Sequence, residues 1–174
     1  QDLALLFKAA ADAGLKVRWF TFFSTGVGAP TAIRQAGLDN LVFDVFDGNA
    51  GVDNAAYQEV EKSFRDKYKR TMGFPGMIDA INVLAQVGNA EKTTDIGKIA
   101  AKMEGVKFKA LMGDEGFVRR DDHQTFTPMF VSTLGPKKAD AKFDEEGTGW
   151  SWSVISKIKP EETVVPTTCK MERP

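Results

Sequence analysis

The sequence predicts an α/β protein folded as two lobes, and three observations carry that expectation. A strand–helix–strand rhythm with short loops runs from Lys16 to Phe46. A helix-rich stretch with a polar corner follows, and a last strand returns at Trp150–Ile155. Strands joined through a helix by short loops build parallel, helix-covered sheets. Two hydrophobic units linked by more than one crossing make lobes rather than beads on a string. At 174 residues the chain is long enough to bury a proper core.

Leu3, Leu5, Leu6, Ala9, Ala10 and Ala13 form a broad apolar helix face, and Gly14 ends that helix where a left-handed residue is wanted. Lys16 to Phe23 is aromatic and partly alternating, hence a strand. The small residues from Ser24 to Ala29 make a loop, and Pro30 suits the first turn of a short helix ending near Gly37. Leu41-Val42-Phe43-Asp44-Val45-Phe46 is a second strand, and Asp47-Gly48-Asn49-Ala50-Gly51 marks a change of character. Tyr57, Val60, Phe64 and Tyr68 line one face of a helix over 54–70. Another helix spans about 75–87, and Thr94 or Asp95 can cap a third that ends at Gly105. Strands follow over 113–119 and 127–132, separated by the corner Arg120-Asp121-Asp122-His123-Gln124. Residues 135–149 read as a polar loop, and the chain closes in an extended tail.

Composition and motifs exclude several chemistries. A formal net charge of −1 offers no concentrated basic face for nucleic acid, and the run Arg65-Asp66-Lys67-Tyr68-Lys69-Arg70 reads as a solvated helix face. No apolar stretch approaches the roughly 20 residues of a membrane span, and no leader opens the chain, which starts as a helix already under way. That start implies a beginning elsewhere in a longer protein. His123, the only histidine, has neighbours that point apart in a corner and no nucleophile in an elbow context, so a hydrolase is disfavoured. One His and one Cys show no metal-ligand spacing, and no cofactor motif is present. Gly26-Val27-Gly28 lacks the rest of a dinucleotide or phosphate loop, yet it places permissive backbone at the carboxyl end of a strand. Asp47, just beyond a strand, either begins a turn or offers a carboxylate at a cleft mouth to a ligand ammonium.

Several stretches carry a family resemblance. They are Gln1-Asp2-Leu3 through Val17; Asp79-Ala80 followed by Ile81-Asn82-Val83-Leu84-Ala85; Arg119 through Gln124 before a Pro-containing strand; and the tail Pro166 through Pro174. Together they resemble the C-terminal half of the substrate-binding proteins of branched-chain amino acid ABC transporters. The resemblance implies a type I periplasmic-binding-protein fold with its N-terminal half missing, portions of two parallel-sheet lobes, and no enzymatic activity. It implies residues 1–47 in the second lobe, 48–134 in the first, and 135–174 as a linker and return to the second.

The same resemblance implies a periplasmic solute-binding component of an ABC importer. Its partners would be an inner-membrane permease, the rest of the same protein, and a small ligand held between the lobes. That ligand would be a branched-chain or other hydrophobic amino acid, or a related small carboxylate or amide. A sensing module of the same fold, regulating a partner protein, is the competing reading. By analogy Asp47 would bind the α-ammonium, with Phe23, Ser24, Thr25 and Phe74 also facing the ligand. The family's Tyr-Asp-Ala tyrosine is Ile78 here, and with Phe22 and Phe23 this implies a more apolar solute, such as an aromatic acid or amide. In an exported protein the lone Cys169 implies a disulfide partner elsewhere in the chain.

Overall fold

Local capping decides where most of the elements begin and end. In the computed structural model, which describes residues 2–172, α1 (Asp2–Asp12) gives way to Gly14 at φ 69°, where only glycine is unstrained. β1 (Trp19–Thr21) is shorter than its aromatic run predicts. The Thr21 hydroxyl accepts the Phe23 N–H at 3.1 Å, turning the chain so that Phe22 and Phe23 leave the ladder. Gly28 at φ 84° and the early Pro30 start α2 (Ala29–Gln35), and β2 (Val42–Phe46) follows. Asn54 caps α3 (Ala55–Tyr68) by accepting the Tyr57 N–H at 3.0 Å. After α4 (Gly76–Glu91), Asp95 rather than Thr94 caps α5 (Ile96–Met103), accepting the Lys98 N–H at 2.9 Å. No described helix is long and apolar enough to cross a membrane.

The remaining strands are β3 (Lys107–Lys109), β4 (Glu115–Val118), β5 (Thr125–Phe126), β6 (Met129–Pro136) and β7 (Trp150–Ile158), followed by a 3-10 turn at Pro160–Thr163. β3 has no counterpart in the sequence reading, because three residues with one apolar member carry no periodicity. Two sheets result: β1-β2-β6-β7, and the meander β3-β4-β5. The α/β class is as read, but parallel pairing is confined to β1 and β2, where Trp19 faces Val42 and Thr21 faces Asp44. All other pairs are antiparallel. For the meander the reason is the connections: residues 110–114 and 119–124 are far too short for a crossover, which needs a dozen residues or more.

Three buried clusters hold these elements. Phe7, Ile33, Leu38, Val42, Leu134 and Trp152 join α1 and α2 to the four-stranded sheet. Val52, Tyr57, Met72, Met112 and Phe130 lie around α3, and Val83, Phe108, Ala110 and Val118 join α4 to the meander. β6 thus contributes Phe130 to one cluster and Leu134 to another, with an irregularity in its pairing to β7 between Val131 and Ser132.

The polar loop after β6 is tied down by charge. Arg65 on α3 bonds Glu61 at 2.5 Å, Glu145 at 2.8 Å and the Asp144 carbonyl at 2.8 Å. The next residue, Glu146, receives the N–H groups of Gly28 and Thr31 at 2.5 and 3.0 Å at the start of α2. Arg119 does similar work at the corner: it clasps Asp122 at 2.9 and 2.5 Å, Gln124 at 2.8 Å and the Val165 carbonyl at 2.5 Å. The residues that carry the family resemblance there are therefore a clamp between corner and tail. Gln1, Arg173 and Pro174, which belong to the stretches that carried it, lie outside the described residues.

Candidate functional site

The carboxyl ends of β1 and β2 gather most of the predicted site residues. Their parallel pairing puts both ends on the same side, the usual place for a ligand on an open α/β sheet. Ser24 and Thr25 follow β1 and are buried. Ser24 donates its hydroxyl to Asp44 Oδ1 at 2.6 Å, and its N–H reaches the same oxygen at 3.3 Å. Its hydroxyl is thus committed inside the protein. Phe23 and Phe74 are 53% and 52% exposed, and their rings rest on separate partners. Phe23 lies against Phe22 at 4.3 Å, and Phe74 stands edge-on to Phe46 at 5.9 Å.

Asp47 sits one residue past β2 and against the start of α4. The Gly76 N–H bonds to its carboxylate, a favourable seat for an anion, since the first N–H groups of a helix lack internal partners. Its other oxygen, Oδ1, is buried and has no hydrogen-bond partner among the described residues. Burial, opposed by the N–H groups of Gly76 and of Asp47 itself and reinforced by the nearby Asp79 and Asp44, pushes its pKa up to about 6. Asp44 is raised by burial, against the hydrogen bonds of Ser24 and Asn49. Asp79 is raised by burial too, although its Oδ1 accepts the Leu111 N–H at 2.8 Å. Among the described residues, no lysine or arginine is one of the main groups acting on these three acids.

Buried anions without a cation are costly, and a positively charged ligand group removes that cost. Among the described residues no cluster of His, Cys, Asp or Glu has the geometry to hold a metal. An ammonium satisfies the chemistry with hydrogen bonds alone.

Sequence reasoning missed Asp44, Asp79 and Gly76. Asp44 had a signal: it is the one charge in the apolar run of β2, on the same inward alternation as Val42. His123 is a turn residue, as read, with φ 58° and its N–H on the Arg119 carbonyl at 3.0 Å. Its Nε2 lies 3.5 Å from Glu104.

A parallel β1–β2 pair with buried acids at its carboxyl end, together with a strand shared between two cores, places the chain in the α/β class. The chain belongs to the periplasmic binding protein family, whose model matches residues 1–140. It is 30% identical to Leu/Ile/Val-binding protein homolog 4 of Brucella abortus over 99% of its own length and 42% of that protein. The chain therefore spans less than half the length of the curated relatives it matches. Its fold is similar to that of the leucine-, isoleucine-, valine-, threonine- and alanine-binding protein from Brucella ovis in a closed conformation. That match has a TM-score of 0.81 at 24% identity, over 99% of this chain and 45% of that one. A solute-binding protein of an ABC transporter from R. palustris, in complex with benzoate, matches with a TM-score of 0.64 at 19% identity, over 91% and 40%.

Proposed function

We propose that this chain supplies the ammonium-binding side of an amino acid site in the periplasmic solute-binding component of an ABC importer, without catalytic activity. The Asp47 Oδ1 atom carries the reading: a buried acceptor with no hydrogen-bond partner, among acids that no cation of the described residues offsets. Relatives are named for aliphatic amino acids, while a neighbour of similar fold holds benzoate. A benzoate anion in contact with Asp47 would add a negative charge to a site already short of positive ones. An α-amino acid brings its own ammonium, which favours the amino acid over the aromatic acid.

Phe23 and Phe74 would cover the ligand's apolar side chain, and Thr25 would line the floor beside Ser24. The Ser24 hydroxyl acts through Asp44 and does not reach the ligand. Residues 1–47 would form part of one lobe and 48–134 part of the other, with 135–174 linking back. A further stretch of the same protein, on the scale of the relatives' extra length, would complete the cleft and bind the ligand carboxylate. An inner-membrane permease would receive the closed complex.

Calorimetric titration of the full-length protein with L-leucine, L-phenylalanine and benzoate tests this. The amino acids should bind and benzoate should not. Benzoate binding without amino acid binding would overturn the proposal.

A further inference from the structure

The contact between Asp47 and α4 exists only because residue 76 has no side chain. We propose that Gly76 is a positioning residue for ligand binding. It lets the Asp47 carboxylate lodge on the first turn of α4, which commits one oxygen and presents the other to the ligand ammonium. This rests on the ammonium role of Asp47 and deepens it.

The geometry is specific. A Cβ at Gly76 would overlap Asp47 Oδ2 outright and come within 3.1 Å of its Cγ. The three nearest atoms that such a Cβ would meet beyond its own helix all belong to the Asp47 side chain. Glycine is not needed there for the backbone, because Gly76 is absent from the positive-φ positions and begins a regular helix, where alanine is the better former. What residue 76 must accommodate is the carboxylate alone.

Asp47 also has little room to retreat. The next residue, Gly48, is at φ 148°, and a Cβ there would overlap Met112 Cε and lie 2.9 Å from its Sδ. The Met112 segment is itself fastened to α4, since Asp79 Oδ1 holds the Leu111 N–H at 2.8 Å. With the backbone pressed from that side, a methyl group at residue 76 displaces the carboxylate by rotation of the Asp47 side chain. Such rotation loses the Gly76 N–H and re-aims Oδ1, the atom assigned here to the ammonium.

The test compares Gly76→Ala, Asp47→Asn and the double variant in the full-length protein. Affinity for L-leucine and L-phenylalanine is measured by calorimetry, and thermal melting is followed without ligand. Gly76→Ala should lower affinity at least about tenfold, the scale of losing one charge-assisted hydrogen bond. Its melting temperature should stay within a few degrees of the parent's, because the rise in helix propensity offsets the lost N–H contact. The double variant should bind no more weakly than Asp47→Asn alone, because both changes act through one carboxylate. Parent-like affinity in Gly76→Ala, or additive losses, would overturn the inference while leaving the Asp47 role standing. Parent-like affinity in Asp47→Asn would remove the role beneath it. A crystal structure of Gly76→Ala with Asp47 Oδ2 still on the residue 76 N–H refutes the positioning role even if no probe binds.

Discussion

Replacing Asp47 by asparagine should weaken ligand binding and stabilise the empty protein at the same pH. Asparagine keeps the shape and can still accept the Gly76 N–H, but it removes a charge that burial disfavours. An acid held at about 6 instead of 3.8 carries a penalty of about 3 kcal/mol at full ionisation, at roughly 1.4 kcal/mol per pH unit. Partial exposure of the side chain and solvent screening reduce this to about 1–2 kcal/mol.

For a chain of this size that is a rise of roughly 2–8 °C in melting temperature. The sign follows from proton linkage. Between pH 3.8 and about 6 the folded chain keeps a proton that the unfolded chain has lost, so the parent loses stability as pH rises through that window. The advantage of Asp47→Asn should therefore be full at pH 7.5, smaller at pH 6, and nearly gone at pH 4. Thermal melts across that range, without ligand, measure it. An Asp47→Asn protein that melts below its parent at pH 7.5, or by a constant margin at every pH, would refute the reasoning.

Other consequences are checked by similar means. Arg65→Ala strands Glu61 and Glu145, whose side chains are 0% and 1% exposed, and should cost about 3–5 kcal/mol in urea unfolding. Burial, against the pull of Arg65, pushes Glu145 up to about 7, so this group's contribution to stability is full below pH 4.5 and falls as pH rises to about 7. Glu145→Gln should flatten that decline in pH-dependent melts. Glu146→Ala removes the acceptor for the Gly28 and Thr31 N–H groups and should cost about 1 kcal/mol, as lost helix caps do. Leu134→Ala empties a fully buried position in the first cluster and should cost about 2–5 kcal/mol. Cys169→Ser, at an exposed position, should change stability by less than about 0.5 kcal/mol.

Elements governed by neighbouring residues were legible in the sequence. Gly14, Pro30 and Asp95 act within a turn of where they stand, and each marks a helix boundary as read. The end of β1 was not, because the Thr21 hydroxyl bond that turns the chain competes with an apolar pattern that runs on to Phe23. Asp47 could be picked out by its place after a strand and before a glycine. What makes it a candidate acceptor could not, since Gly76 and Asp79 reach it only through packing of α4 against the end of β2. The bond between Ser24 and Asp44 was hidden for the same reason: the two lie twenty residues apart across the β1–β2 pair. The antiparallel pairing of the meander followed from loop lengths, which were visible, and the short β3 from a partner strand, which was not.

The sharing of β6 between two cores has a mechanical consequence. Phe130 and Leu134 are four residues apart, roughly 13 Å along an extended strand. Each end is clamped by its own cluster, so along β6 any rotation of one cluster against the other falls on Val131, Ser132 and Thr133 and on the β7 residues beside them. The pairing irregularity lies in this span, where a ladder twists most readily. The strand is then a torsion element of fixed length. Residues that stiffen this span would resist rotation of one cluster against the other without touching either core.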